Sequence, residues 1–202
     1  MRRTPLLWPS TTTPISEIDG IKNLYAHLSG LISSVDAWEA GLLLYQTAKQ
    51  PPPTISRTIA NRWKFIACNE CVFELFHLRS RMAKIQSVQL RKCPSIRSWV
   101  DIDMLRSARK HLDEAFPYVE AFRHAIAHSG ENESHPEVHA PSGVPALTGF
   151  REPDVFSKHY QGQLCRLEMT DSSLQKIIGF VDEYLAGFSN AFTELERQGH
   201  LD

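Results

Sequence analysis

What this chain has little of narrows the reading first. Its net charge is −1 and its pI about 6.8, so it has no bulk attraction to nucleic acid. Any contact with RNA must come from a local patch. No apolar run approaches the roughly 20 residues that cross a bilayer as a helix. The stretch Met1-Arg2-Arg3-Thr4-Pro5-Leu6-Leu7-Trp8-Pro9 has two positive charges but only three apolar residues in a row, too few for a signal-peptide core. A cytoplasmic protein without a membrane partner is expected. Cysteines number four, and only Cys68-Asn69-Glu70-Cys71 has the spacing of a zinc or redox pair. No second pair accompanies it, and it lies inside a helical run rather than after a strand. Buried structural thiols are the expectation. A His-Glu-x-x-His sequence is absent, and no internal repeat is evident.

What is present is enough for one domain with a full core: 202 residues, 42% of them hydrophobic and 22% charged. Residues 1–14 hold three prolines and Thr11-Thr12-Thr13, and read as an extended arm. Ser16 is placed to cap a helix to about Ser33, which Gly20 and Gly30 weaken. A second segment runs from Ser34 or Asp36 to Lys49 and stops before Pro51-Pro52-Pro53. A long helix is predicted from Thr54 to about Lys92, with Ile55, Ile59, Trp63, Ile66, Phe73 and Phe76 as its core stripe. Cys93-Pro94 ends it.

Beyond that point a helix begins near Asp101 or Asp103, with Leu105, Ala108, Leu112, Phe116, Val119, Phe122 and Ile126 at steps of three and four. Pro117 predicts a kink or short break in it. Residues 131–147 read as loop. Cys165-Arg166-Leu167-Glu168-Met169 alternates like a short strand, able to pair near Leu147–Arg151. Ser172 and Gln175 have capping-box spacing before a last helix that carries Leu174 to Leu195 and precedes Gly199. The fold class is therefore all-α: an antiparallel helical bundle with a short β-hairpin or strand insertion before the last helix.

Two features carry chemistry. Between Leu75 and Val100 there is no acidic residue but there are Arg79, Arg81, Lys84, Arg91 and Lys92, with Arg97 beyond. Such a run is a solvated face or a track for phosphates. The second feature is Arg123-His124-Ala125-Ile126-Ala127-His128, near the end of a helix that Gly130 stops. Arg123 falls on the apolar stripe, between Phe116 and Val119. A guanidinium there must snorkel out, pair with a carboxylate such as Glu120 or Glu131, or meet an anion at an interface. His124 and His128 are one turn apart and share a face. His128 lies roughly 140° round and ~7.5 Å along the helix from Arg123. One straight helix does not easily converge both on one phosphate, whereas two copies about a twofold axis do.

Arg123 to His128 resembles the motif of HEPN domains, in which an Arg is followed four to six residues later by a His. A polar residue commonly follows the Arg in that family, and His124 fills the place. The likeness is sharpest over residues 119–130, and the helix pattern from 54 to 198 is similar to the family's helical bundle. The resemblance implies a single HEPN-like domain over 15–202. It implies a homodimer that cleaves RNA without a metal or other cofactor, in a toxin-like or phage-defence role regulated by an antitoxin or other partner protein. Arg123, His128 and His124 would be its catalytic residues, and Arg79, Arg81, Lys84, Arg91 and Lys92 would hold RNA.

The chemistry needs those residue types. RNA carries its own nucleophile, the 2′-hydroxyl. Imidazole titrates near neutral pH and serves as base or acid, while a guanidinium fork matches phosphate oxygens. Some family members have lost activity, so the alternative is a non-catalytic module binding a partner protein or nucleotide. A third reading is metal chelation by His124 and His128, with His135 and His139 following in the loop.

Overall fold

The computed structural model describes residues 14–128 and 148–197. The arm before Pro14, the loop at 131–147, Gly130, Gly199, Glu131, His135 and His139 lie outside the described residues. The described residues are predominantly helical, with one three-stranded antiparallel sheet among them. Its helices are α1 (Ile18–Lys49), α2 (Arg57–Ser87), α3 (Pro94–Arg97), α4 (Ile102–Ala115) and α5 (Val119–Ala127). Strands β1 (Thr148–Glu152), β2 (Val155–Tyr160) and β3 (Gln163–Glu168) follow. Helices α6 (Asp171–Ala186) and α7 (Ser189–Arg197) end the described chain. The described helices contain none long and apolar enough to cross a membrane.

Several local expectations change. The two predicted N-terminal helices are one, because Gly20 and Gly30 serve close approach rather than interruption. A methyl at Gly20 would lie 2.7 Å from the Lys92 carbonyl oxygen, and one at Gly30 would lie 2.7 Å from Arg81 Nε. Helix α2 is shorter than predicted and gives way to a single 3-10 turn at Gln89–Arg91. Asp101 caps α4, its carboxylate accepting from the Met104 N–H at 3.0 Å. Pro117 does separate α4 from α5. Thr170, not Ser172, caps α6, accepting from the Ser173 N–H at 3.2 Å. The last helix is two, broken at Gly187, where a methyl would meet Leu105 Cδ2 at 2.7 Å.

The chain divides into two compact units, with α1, α2 and α6 each contributing to both. The described residues of the first are 14–35, 77–115 and 176–197. Its core draws on Leu24, Leu28 and Leu31 of α1, Leu78, Met82 and Ile85 of α2, Leu105 and Leu112 of α4, and Val181 and Tyr184 of α6. The Tyr184 hydroxyl donates to the Met82 carbonyl at 2.8 Å, so a buried phenol keeps a partner. Burial holds that phenol well above its ordinary pKa.

The described residues of the second unit are 36–76, 116–128 and 148–175. Here α1 and α2 approach closely at small residues: a methyl at Gly41 would lie 2.6 Å from Cys71 Sγ. The buried stripe of α2 in this unit is Ala60, Ala67, Cys68, Cys71, Val72 and Leu75. That corrects the expected stripe. Ile59 and Ile66 are 43% and 57% exposed, and Trp63, Phe73 and Phe76 are half-buried. Close helix packing selects small side chains for the seam and leaves the large ones at its edges. All four cysteines are free and buried, as structural thiols. Burial pushes the Cys93 and Cys165 thiols up to about 11, and Cys68 and Cys71 further still.

The sheet has the order β1-β2-β3. The strand expected at Cys165–Met169 is present as β3, but it pairs with β2 rather than with 147–151. Strand β2 is not evident from the sequence pattern. Val155-Phe156-Ser157-Lys158-His159-Tyr160 mixes polar and apolar residues, and its residues from Phe156 to His159 are all buried. A central strand covered on both faces loses the alternation that would reveal it.

Candidate active site

The site begins with α5, a nine-residue helix whose buried side is Val119, Phe122 and Ala125. Phe116 and Ile126, expected in the core, are half-buried. Phe122 stacks on Phe156 of β2, ring centroids 5.3 Å apart and planes 17° from parallel. Farther along both elements, His124 of α5 reaches Tyr160 of β2, 6.1 Å apart and 15° from parallel. The two contacts lock the helix lengthwise on the strand. Phe156 and Tyr160 share one sheet face with Lys158 between them, and Lys158 is buried.

His128 is the C-cap, with φ −103° and ψ 31°, and its N–H donates to the His124 carbonyl at 3.0 Å. Its ring stacks on that of His124 at 6.2 Å and 21°. Three rings therefore run in series from Tyr160 through His124 to His128. Arg123 is half-buried and reaches the same place from the side. Its Nη1 is 3.2 Å from His124 Nδ1 and 3.4 Å from Nε2. An atom almost equidistant from both ring nitrogens, approaching in the ring plane, would collide with Cε1. The guanidinium therefore lies against the imidazole face and makes no in-plane hydrogen bond with it. Its other contact is Phe76 of α2, with Cζ 4.7 Å from the ring centroid.

Among the residues singled out from sequence, the structure thus brings Arg123, His124 and His128 together, with His124 as the link. Tyr160 and Phe76 are additions that the sequence does not point to. Phe76 belongs to the expected core stripe, and Tyr160 lies on the strand that the pattern conceals. Among the described residues, no cluster of three or more His, Cys, Asp or Glu side chains is arranged to hold a metal ion.

The five basic residues expected to hold RNA all belong to the first unit, and the motif helix to the second. Arg79 Nε pairs with Asp113 at 2.6 Å. Arg81 Nη1 donates to the Gly30 carbonyl at 2.9 Å and to the Ser34 hydroxyl. Lys84, Arg91 and Lys92 are exposed. Lys84 and Arg81 also act on His27, whose pKa is lowered by burial first and by those two cations next.

Comparison with protein-family models, with curated proteins and with solved structures finds no match.

Proposed function

We propose that this chain is a metal-independent endoribonuclease of the HEPN type, acting as a homodimer. One observation carries the reading: at the C-terminal end of α5 a guanidinium and a second imidazole gather around the His124 ring. A guanidinium beside two imidazoles, one able to take a proton and the other to give one, is the set that phosphodiester transfer needs.

In the reaction, neutral His128 takes the proton of the ribose 2′-hydroxyl. The 2′-oxygen bonds to phosphorus and the bond from phosphorus to the 5′-oxygen breaks. A protonated imidazole gives its proton to that departing oxygen. The acid is His124 or a histidine from a second copy of this chain. The products are a 2′,3′-cyclic phosphate and a 5′-hydroxyl, with no net change in oxidation state. Arg123 offsets charge that develops on the phosphate oxygens. A toxin-like or phage-defence role, checked by an antitoxin or other regulatory protein, belongs to the same proposal.

The test is cleavage of a labelled single-stranded RNA by purified protein in EDTA. Arg123→Ala and His128→Ala should each slow cleavage ~10²-fold or more with an unchanged circular dichroism spectrum, and His124→Ala should do less. Wild-type cleavage by the His128→Ala protein would move the active site elsewhere. Loss of activity in EDTA that zinc restores would replace this chemistry with a metal mechanism. For the dimer, light scattering at micromolar concentration should return twice the chain mass, and a monomer counts against the paired site.

A second reading has its own support. Arg123 laid on Phe76 and on the His124 face is the packing of a structural arginine. That arrangement suits a non-catalytic module binding a partner protein or nucleotide, and it is favoured if no RNA is cleaved.

A further inference from the structure

The second unit has a cleft of about 440 Å³ away from the Arg123 cluster, lined by α1, α2 and the start of the sheet. Its size is that of a site for one small ligand rather than a duplex. Phe150 of β1 lines it, stacked on Tyr45 at 5.5 Å and 28°, with Phe65 of α2 beside it at 6.0 Å. Phe65 lines the cleft and is 38% exposed. Two cations line it, together with two carboxylates, Asp154 and Glu152, the latter paired with Arg166. Lys49 is committed to Asp154, at 2.5 Å. Lys64 has no ion-pair or hydrogen-bond partner among the described residues, and neither has the Asn61 side chain beside it.

We propose that this cleft holds one nucleotide. The base packs on the partly exposed Phe65 beside Phe150, Asn61 hydrogen-bonds to the base edge, and Lys64 takes the phosphate. Stacking platforms paired with cations are the means by which proteins hold unpaired nucleotides, and an amide adds donor and acceptor for a base edge. The cleft is coupled to the motif helix by packing. Phe65 and Phe150 both contact Phe156, at 5.9 and 5.5 Å, and Phe156 stacks on Phe122, the residue before Arg123. The proposal rests on the ribonuclease reading in one respect, that the nucleotide is a residue of single-stranded RNA; a free mononucleotide has the same chemistry.

The experiment measures binding without cleavage. A fluorescein-labelled 2′-O-methyl oligoadenylate has no 2′-hydroxyl to attack, so its anisotropy reports affinity alone. Phe65→Leu, Lys64→Gln and Asn61→Ala should each weaken it, Phe65→Leu by about tenfold. Lys64→Gln and Asn61→Ala alter side chains without partners and leave the core alone, so they read the cleft even if Phe65→Leu loosens the fold. An oligomer of the same length with abasic sites should bind more weakly than the base-bearing one. Competition by AMP would mark a free-nucleotide site, and its failure beside tight oligomer binding would mark an RNA subsite. The proposal is overturned if the oligomer and AMP both fail to bind, if all three variants bind as the wild type does, or if the abasic oligomer binds equally. Binding that depends on the cleft in a protein that cleaves nothing upholds the cleft and removes the ribonuclease reading.

Discussion

Asp154 shows how one residue ties distant segments together. It sits in the β1–β2 turn at φ 60°, a left-handed position that aspartate and asparagine tolerate better than most residues. Its carboxylate accepts from Lys49 at 2.5 Å and from the buried Tyr45 hydroxyl at 3.0 Å. The Lys49 hydrogen bond holds its carboxyl below the usual range, with help from Tyr45 and against a smaller opposing effect of burial. A depressed folded-state pKa gives stability that is present above the unfolded value of 3.8 and is lost as pH falls through the folded value. Asp154→Asn should therefore cost about 1 kcal/mol at pH 7, in line with a partly exposed pair, and the gap should close on acidification below pH 3.8. Urea unfolding of both proteins across that range checks it, and a gap independent of pH would refute the electrostatic origin. Asparagine is the right substitute because it keeps the tolerance for positive φ.

Helices α1 and α2 test whether their seam is steric. Replacing glycine by alanine inside a helix ordinarily adds ~0.5–1 kcal/mol of stability. At Gly41 the new methyl would lie 2.6 Å from Cys71 Sγ and 3.3 Å from the Ala67 carbonyl oxygen. Gly41→Ala should instead destabilise by about 1–3 kcal/mol, the usual cost of overpacking. Adding Cys71→Ala removes the sulfur, so the double variant should be destabilised by less than the sum of the two single effects. Strict additivity in denaturant melts would mean that the glycine is not there for close approach.

For the chain as a whole, a net charge of −1 leaves RNA affinity to local cations. The basic segment offers two kinds. Arg79 and Arg81 have intramolecular partners in Asp113 and Gly30, so their glutamine variants should lower thermal stability. Lys84, Arg91 and Lys92 are exposed, and they are the ones to test for phosphate binding. Their combined glutamine variant should flatten the salt dependence of single-strand binding by about 0.7 in log–log slope for each phosphate that the three side chains neutralise. An unchanged slope would return the segment to a solvated face.

Much is legible from local rules. The predominance of helix, the break at Pro117, the burial of the cysteines and the strand at β3 follow from periodicity and residue type. So does the adjacency of His124 and His128, because one helical turn places them together whatever surrounds them; that Arg123, set roughly 140° round from His128, meets them at the His124 ring is a finding of the packed structure. What tertiary structure alone decided is which surfaces meet. Gly20 and Gly30 read locally as weak points of a helix and, like Gly41, are contact points, since a missing Cβ has no meaning until a neighbour arrives. The stripe of α2 turns toward Ala67 and Cys71 because close packing favours small side chains over the largest apolar ones. Strand β2 is hidden because both its faces are covered, and Tyr160 is hidden with it. Its ring meets His124 across a gap in sequence that no local pattern spans. Local spacing determines what a helix presents; only the packed chain determines what it is presented to.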